Sequence, residues 1–67
     1  MKVFLNNESV EVNNSIYLME ILKLKNLEQK KGIAVAVNNQ IIPKMNWEKY
    51  TVSENDKLMV IQATQGG

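Results

Sequence analysis

The chain has 67 residues, which is enough for one small domain with a single hydrophobic core. Eight basic against seven acidic residues give a formal net charge of +1, and the two signs are interspersed, unlike the basic block of a nucleic-acid-binding protein. Because the chain has no Cys and no His, disulfides, thiolate zinc sites, cysteine nucleophiles and histidine acid–base catalysis are excluded.

The N-terminal segment Met1-Lys2-Val3-Phe4-Leu5 reaches polar Asn6 after a run of three apolar residues. This run is far too short for a signal-peptide core or for a membrane span of roughly 20 residues. We therefore expect a cytoplasmic protein with no membrane partner and, given its charge, no nucleic-acid partner.

Residues 2–5 and 9–12 alternate in polarity, which is typical of short, half-buried strands. The Asn6-Asn7 pair between them tolerates the positive φ of a tight hairpin turn. The pattern predicts an opening β-hairpin that turns one set of side chains towards the core: Val3, Leu5, Val10 and Val12.

A helix is predicted next, over the stretch 16–24, which has no Gly or Pro. Residues 13–15 supply N-cap candidates, of which we prefer Ser15. The helix is expected to end near Asn26. One broad apolar side is expected to lie on the sheet, with Glu20 and Lys23 in water: Leu18, Met19, Ile21 and Leu22.

The nearly continuous apolar run 33–37 predicts an interior strand that is contacted on both faces. Asn38-Asn39 then predicts a turn, and Ile41-Ile42 a short strand. Pro43 closes that strand and places it at a sheet edge, because proline cannot donate to a ladder.

The connector 44–50 is expected to contain one helical turn, with Trp47 as its core anchor. Asn55-Asp56 predicts a turn before the last strand, 58–62. The complete order predicts an α+β domain over residues 1–62, with one helix across a mixed sheet. Residues 63–67 are expected to form a flexible tail.

The tail ends in Gly66-Gly67, whose backbone fits a channel too narrow for any Cβ. The terminal carboxylate becomes a good electrophile only after activation, for example as an acyl-adenylate. Because the chain has no glycine-rich phosphate loop, ATP and magnesium would be held by an adenylating partner, and we expect no cofactor or metal bound by this chain. Gly67 is the expected reacting residue, and Gly66 gives it access.

The most distinctive block is Ala-Val-Ala-Val-Asn-Asn-Gln-Ile-Ile-Pro at residues 34–43, followed by Trp47, Asp56 and the Gly-Gly end. In these features the chain resembles the ThiS family of thiamine-biosynthesis sulfur carriers, β-grasp relatives of ubiquitin and of the small subunit of molybdopterin synthase. The resemblance implies a ubiquitin-like β-grasp fold with a four- to five-stranded sheet. Asn7 and Asn55 stand where the family usually has Gly, and Asn also tolerates left-handed backbone.

The resemblance also implies a reaction cycle in which the chain is a protein co-substrate and not an enzyme. A ThiF-like adenylating enzyme would activate Gly67, a persulfide donor would replace the adenylate with sulfur, and the thiocarboxylate would pass its sulfur to a ThiG-like thiazole synthase.

Strand alternation places a second set of side chains opposite the helix: Phe4, Ala34, Ala36, Met59 and Ile61. An exposed apolar face of this kind favours a docking surface for those enzymes, with Thr64 and Gln65 as further contacts in the tail. The alternative is that these are ordinary strand residues covered by the tail or by neighbouring side chains.

Other functions remain open at this point. The same Gly-Gly end would serve a sulfur carrier for molybdopterin, cysteine or tRNA thiolation, or a ubiquitin-like modifier that forms isopeptide bonds. An independent enzyme is disfavoured by the missing His, Cys and phosphate loop. Carboxylate catalysis and a metal site are disfavoured as well, since the acidic residues show no diagnostic spacing: Glu20, Glu48, Glu54 and Asp56.

Overall fold

The fold is known from a computed structural model that describes residues 1–62; the predicted tail, 63–67, lies outside the described residues. In chain order the elements are β1 (Lys2–Leu5), β2 (Glu8–Glu11), α1 (Leu18–Leu24), β3 (Ile33–Val37), β4 (Gln40–Ile41), a 3₁₀ turn (Lys44–Asn46) and β5 (Lys57–Gln62). This is the order that the sequence predicted.

The five strands form one mixed sheet in the order β2-β1-β5-β3-β4. β1 and β5 run parallel, whereas the β1–β2, β3–β4 and β3–β5 pairs are antiparallel. The last strand in the sequence therefore lies at the centre of the sheet. This arrangement is the ubiquitin-like β-grasp fold, and the predicted fold class is confirmed.

One face of the sheet forms the core together with α1. Val3 and Val35 are fully buried, and the helix buries Leu18, Ile21 and Leu22 completely on its predicted side. Each such side chain contributes roughly 1.5–3 kcal/mol by leaving water, so these contacts dominate the stability of the domain. Met19 and Val10 also turn towards the core but stay half-buried.

The predicted cap Ser15 is wrong. Ser15 has a φ of 62°, and the helix begins at Leu18 with Tyr17 as the extended N-cap residue. The segment before the helix is held in an extended form by the connector: Tyr17 bridges Thr51, and the Val52 amide donates to the Ile16 carbonyl at 2.9 Å.

The first amides of α1 also find partners in the connector. Leu18 N–H donates to the Tyr50 carbonyl at 2.8 Å and Met19 N–H to the Trp47 carbonyl at 3.0 Å. Glu20 accepts the Tyr17 N–H on its Oε1 at 2.9 Å. Because these groups satisfy the free donors at the start of the helix, no serine cap is required.

The helix ends as predicted, next to Asn26. Asn26 has a φ of 59°, and the Leu27 N–H donates back to the Leu22 carbonyl at 2.8 Å. The Asn26 N–H donates to the Lys23 carbonyl at 3.1 Å. These two bonds are the Schellman pattern, with Asn in the place that glycine usually takes.

Trp47 is the predicted core anchor. It is 2% exposed, and its Nε1–H donates to the Ile42 carbonyl at 2.8 Å. Ile42 itself leaves β4 and enters the core, so the edge strand comprises Gln40–Ile41 instead of the predicted Ile41-Ile42.

The two Asn-Asn turns have positive φ at both residues, 51° and 71° at Asn6-Asn7 and 51° and 70° at Asn38-Asn39. Such two-residue turns fit the twist of a hairpin, and the first of them lets β2 begin at Glu8, one residue earlier than predicted. The expectation that the strand 33–37 is contacted on both faces is wrong, since Ala34 is exposed. The single helix covers only one face of the sheet.

Candidate docking face and the strand that leads to the tail

The sheet face opposite α1 exposes the apolar side chains that alternation predicted there. On β5, Met59 is 41% exposed and Ile61 is 55% exposed, whereas Leu58, which points to the other face, is buried. Phe4 and Ala36 are half-buried and Ala34 is exposed. We call this surface the open face, defined by Phe4, Ala34, Ala36, Met59 and Ile61.

The register of the sheet brings these residues together. In the β3–β5 ladder Ala34 lies opposite Ile61, and Ala36 lies opposite Met59. Phe4 comes from β1, on the other side of β5. Because each large β5 side chain faces an alanine, its flank is left uncovered and available to a partner.

Sequence reasoning missed an exposed apolar neighbour of the open face, Ile41. Ile41 pairs with Ala36 in the β3–β4 ladder, so its side chain lies on the same face, and it is 61% exposed. The apolar surface therefore extends from β1 across β5 and β3 to the edge strand. Ile42, which follows the end of β4, is buried on the opposite side, in the core.

The end of the open face near Phe4 carries charges of both signs, because Lys2 lies opposite Glu11 in the β1–β2 ladder and both side chains are exposed. The Lys2 ammonium lies 5.3 Å from the centroid of the Phe4 ring, a cation–π contact worth ~0.5–1 kcal/mol at an exposed site. Lys57 alternates with Met59 on β5 and is also exposed. These charges border the apolar surface without giving it one dominant sign.

A shallow depression of about 230 Å³ lies beside Met59 on this side of the sheet. It is lined by Phe4, Asn7, Asn39, Lys57, Leu58 and Met59. Its size suits one inserted apolar side chain and not a buried reaction centre.

Asp56 fixes the start of β5. Its Oδ1 accepts from the Asn38 side-chain amide at 2.9 Å, and its Oδ2 accepts the Ser53 N–H at 2.8 Å. The Asn38 Oδ1 in turn accepts the Lys57 N–H at 2.9 Å. Asp56 thus joins two turns to the central strand, and its carboxylate has a structural role in the arrangement of β5.

The acidic side chains of residues 1–62 are dispersed over the surface. Within that part of the chain, no group of three or more His, Cys, Asp or Glu side chains is arranged to hold a metal ion. No helix in the same range is long and apolar enough to cross a membrane. The remaining predicted site residues, Thr64, Gln65, Gly66 and Gly67, lie outside the described residues.

Comparison with known proteins decides the family. The sequence model of the ThiS family matches residues 3–67, which is almost the whole chain and includes the Gly-Gly end. The chain belongs to the ThiS family.

Two relatives in sequence support the assignment. The sulfur carrier protein ThiS of Escherichia coli (strain K12) is 28% identical over 68 residues, covering 100% of both chains. The uncharacterized protein ycf40 of Trieres chinensis is 31% identical over 64 residues, covering 96% of this chain and 86% of that protein.

Solved structures show the same fold. The crystal structure of the thiamine biosynthesis protein ThiS from Geobacter metallireducens superposes with a TM-score of 0.85 at 20% identity, covering 100% of both chains. An NMR solution structure of a thiamine biosynthesis protein from the same organism gives a TM-score of 0.77 at 20% identity, covering 100% of this chain and 88% of that one. The β-grasp arrangement of this ThiS-family chain is thus shared with experimentally determined structures.

Proposed function

We propose that this ThiS-family chain is a sulfur carrier for thiamine biosynthesis and that its reacting group is the C-terminal carboxylate of Gly67. The proposal draws on the full-length similarity to the Escherichia coli sulfur carrier. The structural observation that supports it most is the position of β5, which presents Met59 and Ile61 on the open face and then leads into the Gly-Gly end.

The distance between β5 and Gly67 suits a substrate that is bound by its folded domain and reacts at its C-terminus. Five residues, 63–67, follow Gln62 in the sequence. In extended form they would span about 17 Å, at ~3.4 Å per residue. A partner that binds the open face would therefore receive Gly67 in an active site about that distance away, with residues 1–62 as the folded domain and 63–67 as the extended arm.

The conversion of the carboxylate to a thiocarboxylate takes three steps. A Gly67 carboxylate oxygen attacks the α-phosphorus of ATP, the bond to pyrophosphate breaks, and an acyl-adenylate forms. The terminal sulfur of a persulfide then attacks the acyl carbon and AMP leaves. A thiol cleaves the resulting S–S bond, which leaves the thiocarboxylate on Gly67 and a disulfide on the sulfur donor.

The division of labour follows from what the sequence contains. With no glycine-rich phosphate loop and no His or Cys, this chain supplies the acyl group, while an adenylating enzyme of the ThiF type supplies the site for ATP and magnesium. The absence of Cys also means that no thiol of its own can intercept the activated acyl group. A thiazole synthase of the ThiG type would then receive the sulfur.

Removal of Gly67 tests the proposed reacting group. We expect the truncated chain to melt at the same temperature as the full chain, because the buried core described within residues 1–62 is left unchanged, yet to support no ATP–pyrophosphate exchange by the adenylating enzyme. Exchange at the normal rate would refute the role of Gly67.

The same reaction separates the proposal from a ubiquitin-like modifier. Transfer of the activated chain to lysines would give isopeptide conjugates of higher mass, whereas a sulfur carrier gives a free chain with a thiocarboxylate. Conjugates as the main product would refute the sulfur-carrier function while leaving Gly67 as the activated residue.

A further inference from the structure

The β1–β5 ladder is short compared with β5 itself. Its paired residues are Phe4 with Lys57 and Leu5 with Leu58, so β1 pairs with only the first two residues of β5. The last backbone bond between these strands runs from the Asn6 N–H to the Leu58 carbonyl, at 2.8 Å. β5 continues to Gln62, opposite Ile33 of β3.

The side chain of Asn6 lengthens this ladder. Its Oδ1 accepts the Val60 N–H at 2.8 Å, and its Nδ2 lies 3.4 Å from the Val60 carbonyl oxygen. The first contact is a good hydrogen bond and the second is long and weak. Together they place a side-chain amide where the next peptide group of β1 would otherwise pair with β5.

The local backbone explains why asparagine can do this. Asn6 has a φ of 51°, a left-handed conformation that asparagine tolerates and that also turns the chain into β2. Asn7 has the same handedness, with a φ of 71°, but of these two turn residues it is the side chain of Asn6 that bonds to Val60 of β5. The two turn residues thus have the same backbone conformation but differ in their side-chain contacts.

We propose that Asn6 is a positioning residue for the charging reaction, because its amide holds β5 at Val60 and so sets the direction in which the C-terminal arm leaves the sheet. The inference rests on the proposed function. The Asn6 side chain thus bonds to β5 at Val60, between the exposed side chains of Met59 and Ile61. Docking and arm direction are then fixed on the same strand, which lowers the orientational entropy lost when Gly67 enters an active site.

The test compares Asn6→Gly with Asn7→Gly. Both variants keep positive φ available and add the same backbone freedom, but only Asn6→Gly removes the amide that holds Val60. We expect hydrogen exchange of the Val60 amide to rise about 3- to 10-fold in Asn6→Gly, in line with the loss of one net hydrogen bond. The Ile61 amide, which alternation turns towards β3, is the internal control and is expected to keep its rate.

Charging kinetics give the second readout. In Asn6→Gly we expect the KM of this chain, as substrate of the adenylating enzyme, to rise about 3- to 10-fold at unchanged kcat, because fewer free molecules present the arm correctly. Asn7→Gly is expected to keep wild-type exchange at Val60, because it leaves the Asn6 amide in place. Asn55→Gly, at another positive-φ position and away from the depression beside Met59, is expected to keep the wild-type KM. Asn6→Asp keeps an oxygen that can accept the Val60 N–H, and it is expected to retain Val60 protection and a KM closer to the wild-type value.

Three results would overturn the inference. In the first, Val60 exchanges faster in Asn6→Gly while KM stays the same; the wild type is still charged, so the proposed function survives. In the second, the exchange rates of the Val60 and Ile61 amides rise by the same factor in Asn6→Gly, and KM changes in proportion to the loss of overall stability. This result would make Asn6 a general stabilising residue. In the third, the wild-type chain is not charged at all, which refutes the proposed function and this inference with it.

Discussion

Ile61 and Ala34 lie directly opposite each other in the β3–β5 ladder, and the large side chain of this pair is 55% exposed. We predict that Ile61→Asp leaves the domain folded, because the new carboxylate stays in water, but weakens binding to the adenylating enzyme at least ~30-fold. That factor corresponds to the ~2 kcal/mol of one interface anchor. Calorimetric titration and thermal melting measure the two effects.

Val35→Asp is the matched control for this prediction. Val35 lies next to Ala34 on the same strand but is fully buried, so its substitution is expected to unfold the domain by placing a charge in the core. If Ile61→Asp unfolded the domain in the same way, the Ile61 side chain would be part of the core and not of an exposed surface. A folded Ile61 variant with normal affinity would place the docking surface elsewhere.

We predict that Gly66→Ala slows charging at least ~10-fold while changing the melting temperature by less than a degree or so. The reason is that a Cβ next to Gly67 obstructs a narrow channel in the partner, whereas the buried core described within residues 1–62 is left unchanged. Ala63→Ser is the control, since it also adds one heavy atom but at a greater distance from Gly67. Equal losses of charging and of thermal stability in Gly66→Ala would indicate a structural glycine instead.

Trp47→Phe tests the anchor of the connector. The change removes the Nε1–H that satisfies the buried Ile42 carbonyl and leaves a small cavity, so we expect a loss of about 1–3 kcal/mol in the free energy of unfolding. For a domain of this size each kcal/mol lowers the melting temperature by ~4–8 °C. Urea denaturation measures the change directly.

Tyr50→Phe serves as the comparison, because it removes only a hydroxyl from a half-buried ring in the same connector. We expect it to cost well under ~1 kcal/mol. If Trp47→Phe proved as mild as Tyr50→Phe, the role of Trp47 as anchor would be wrong.

The sequence was sufficient for features that depend on local periodicity. Alternation placed Val35 in the core and Ala34 outside it, and the apolar side of α1 was correct at Leu18, Ile21 and Leu22. The Asn-Asn pairs were recognised as turns because asparagine tolerates positive φ. These assignments need only neighbours within one element, which is why they could be made without the structure.

The failures depend on partners that are distant in the sequence. Ser15 looked like a cap, but the start of α1 is set by bonds from Leu18 and Met19 to the connector at Tyr50 and Trp47. The hydrogen bond from the Val60 N–H to the Asn6 side chain joins residues that are 54 positions apart, and no sequence periodicity predicts such a pair.

Ile41 was missed for a related reason. In a strand of only two residues the alternation of polarity is too short to show which side chain points to which face of the sheet. The assignment needed the observed pairing with Ala36 in the β3–β4 ladder.

The central claim is that Gly67 is converted from a carboxylate to a thiocarboxylate. The most direct measurement is the intact mass of the chain, with fragmentation of its C-terminal peptide, after incubation with the adenylating enzyme, ATP, magnesium, a persulfide donor and a thiol. The account predicts that one oxygen is replaced by sulfur, that the change maps to Gly67, and that it disappears when ATP is omitted. An unchanged mass under conditions in which the Escherichia coli relative is charged by the same enzyme would contradict it.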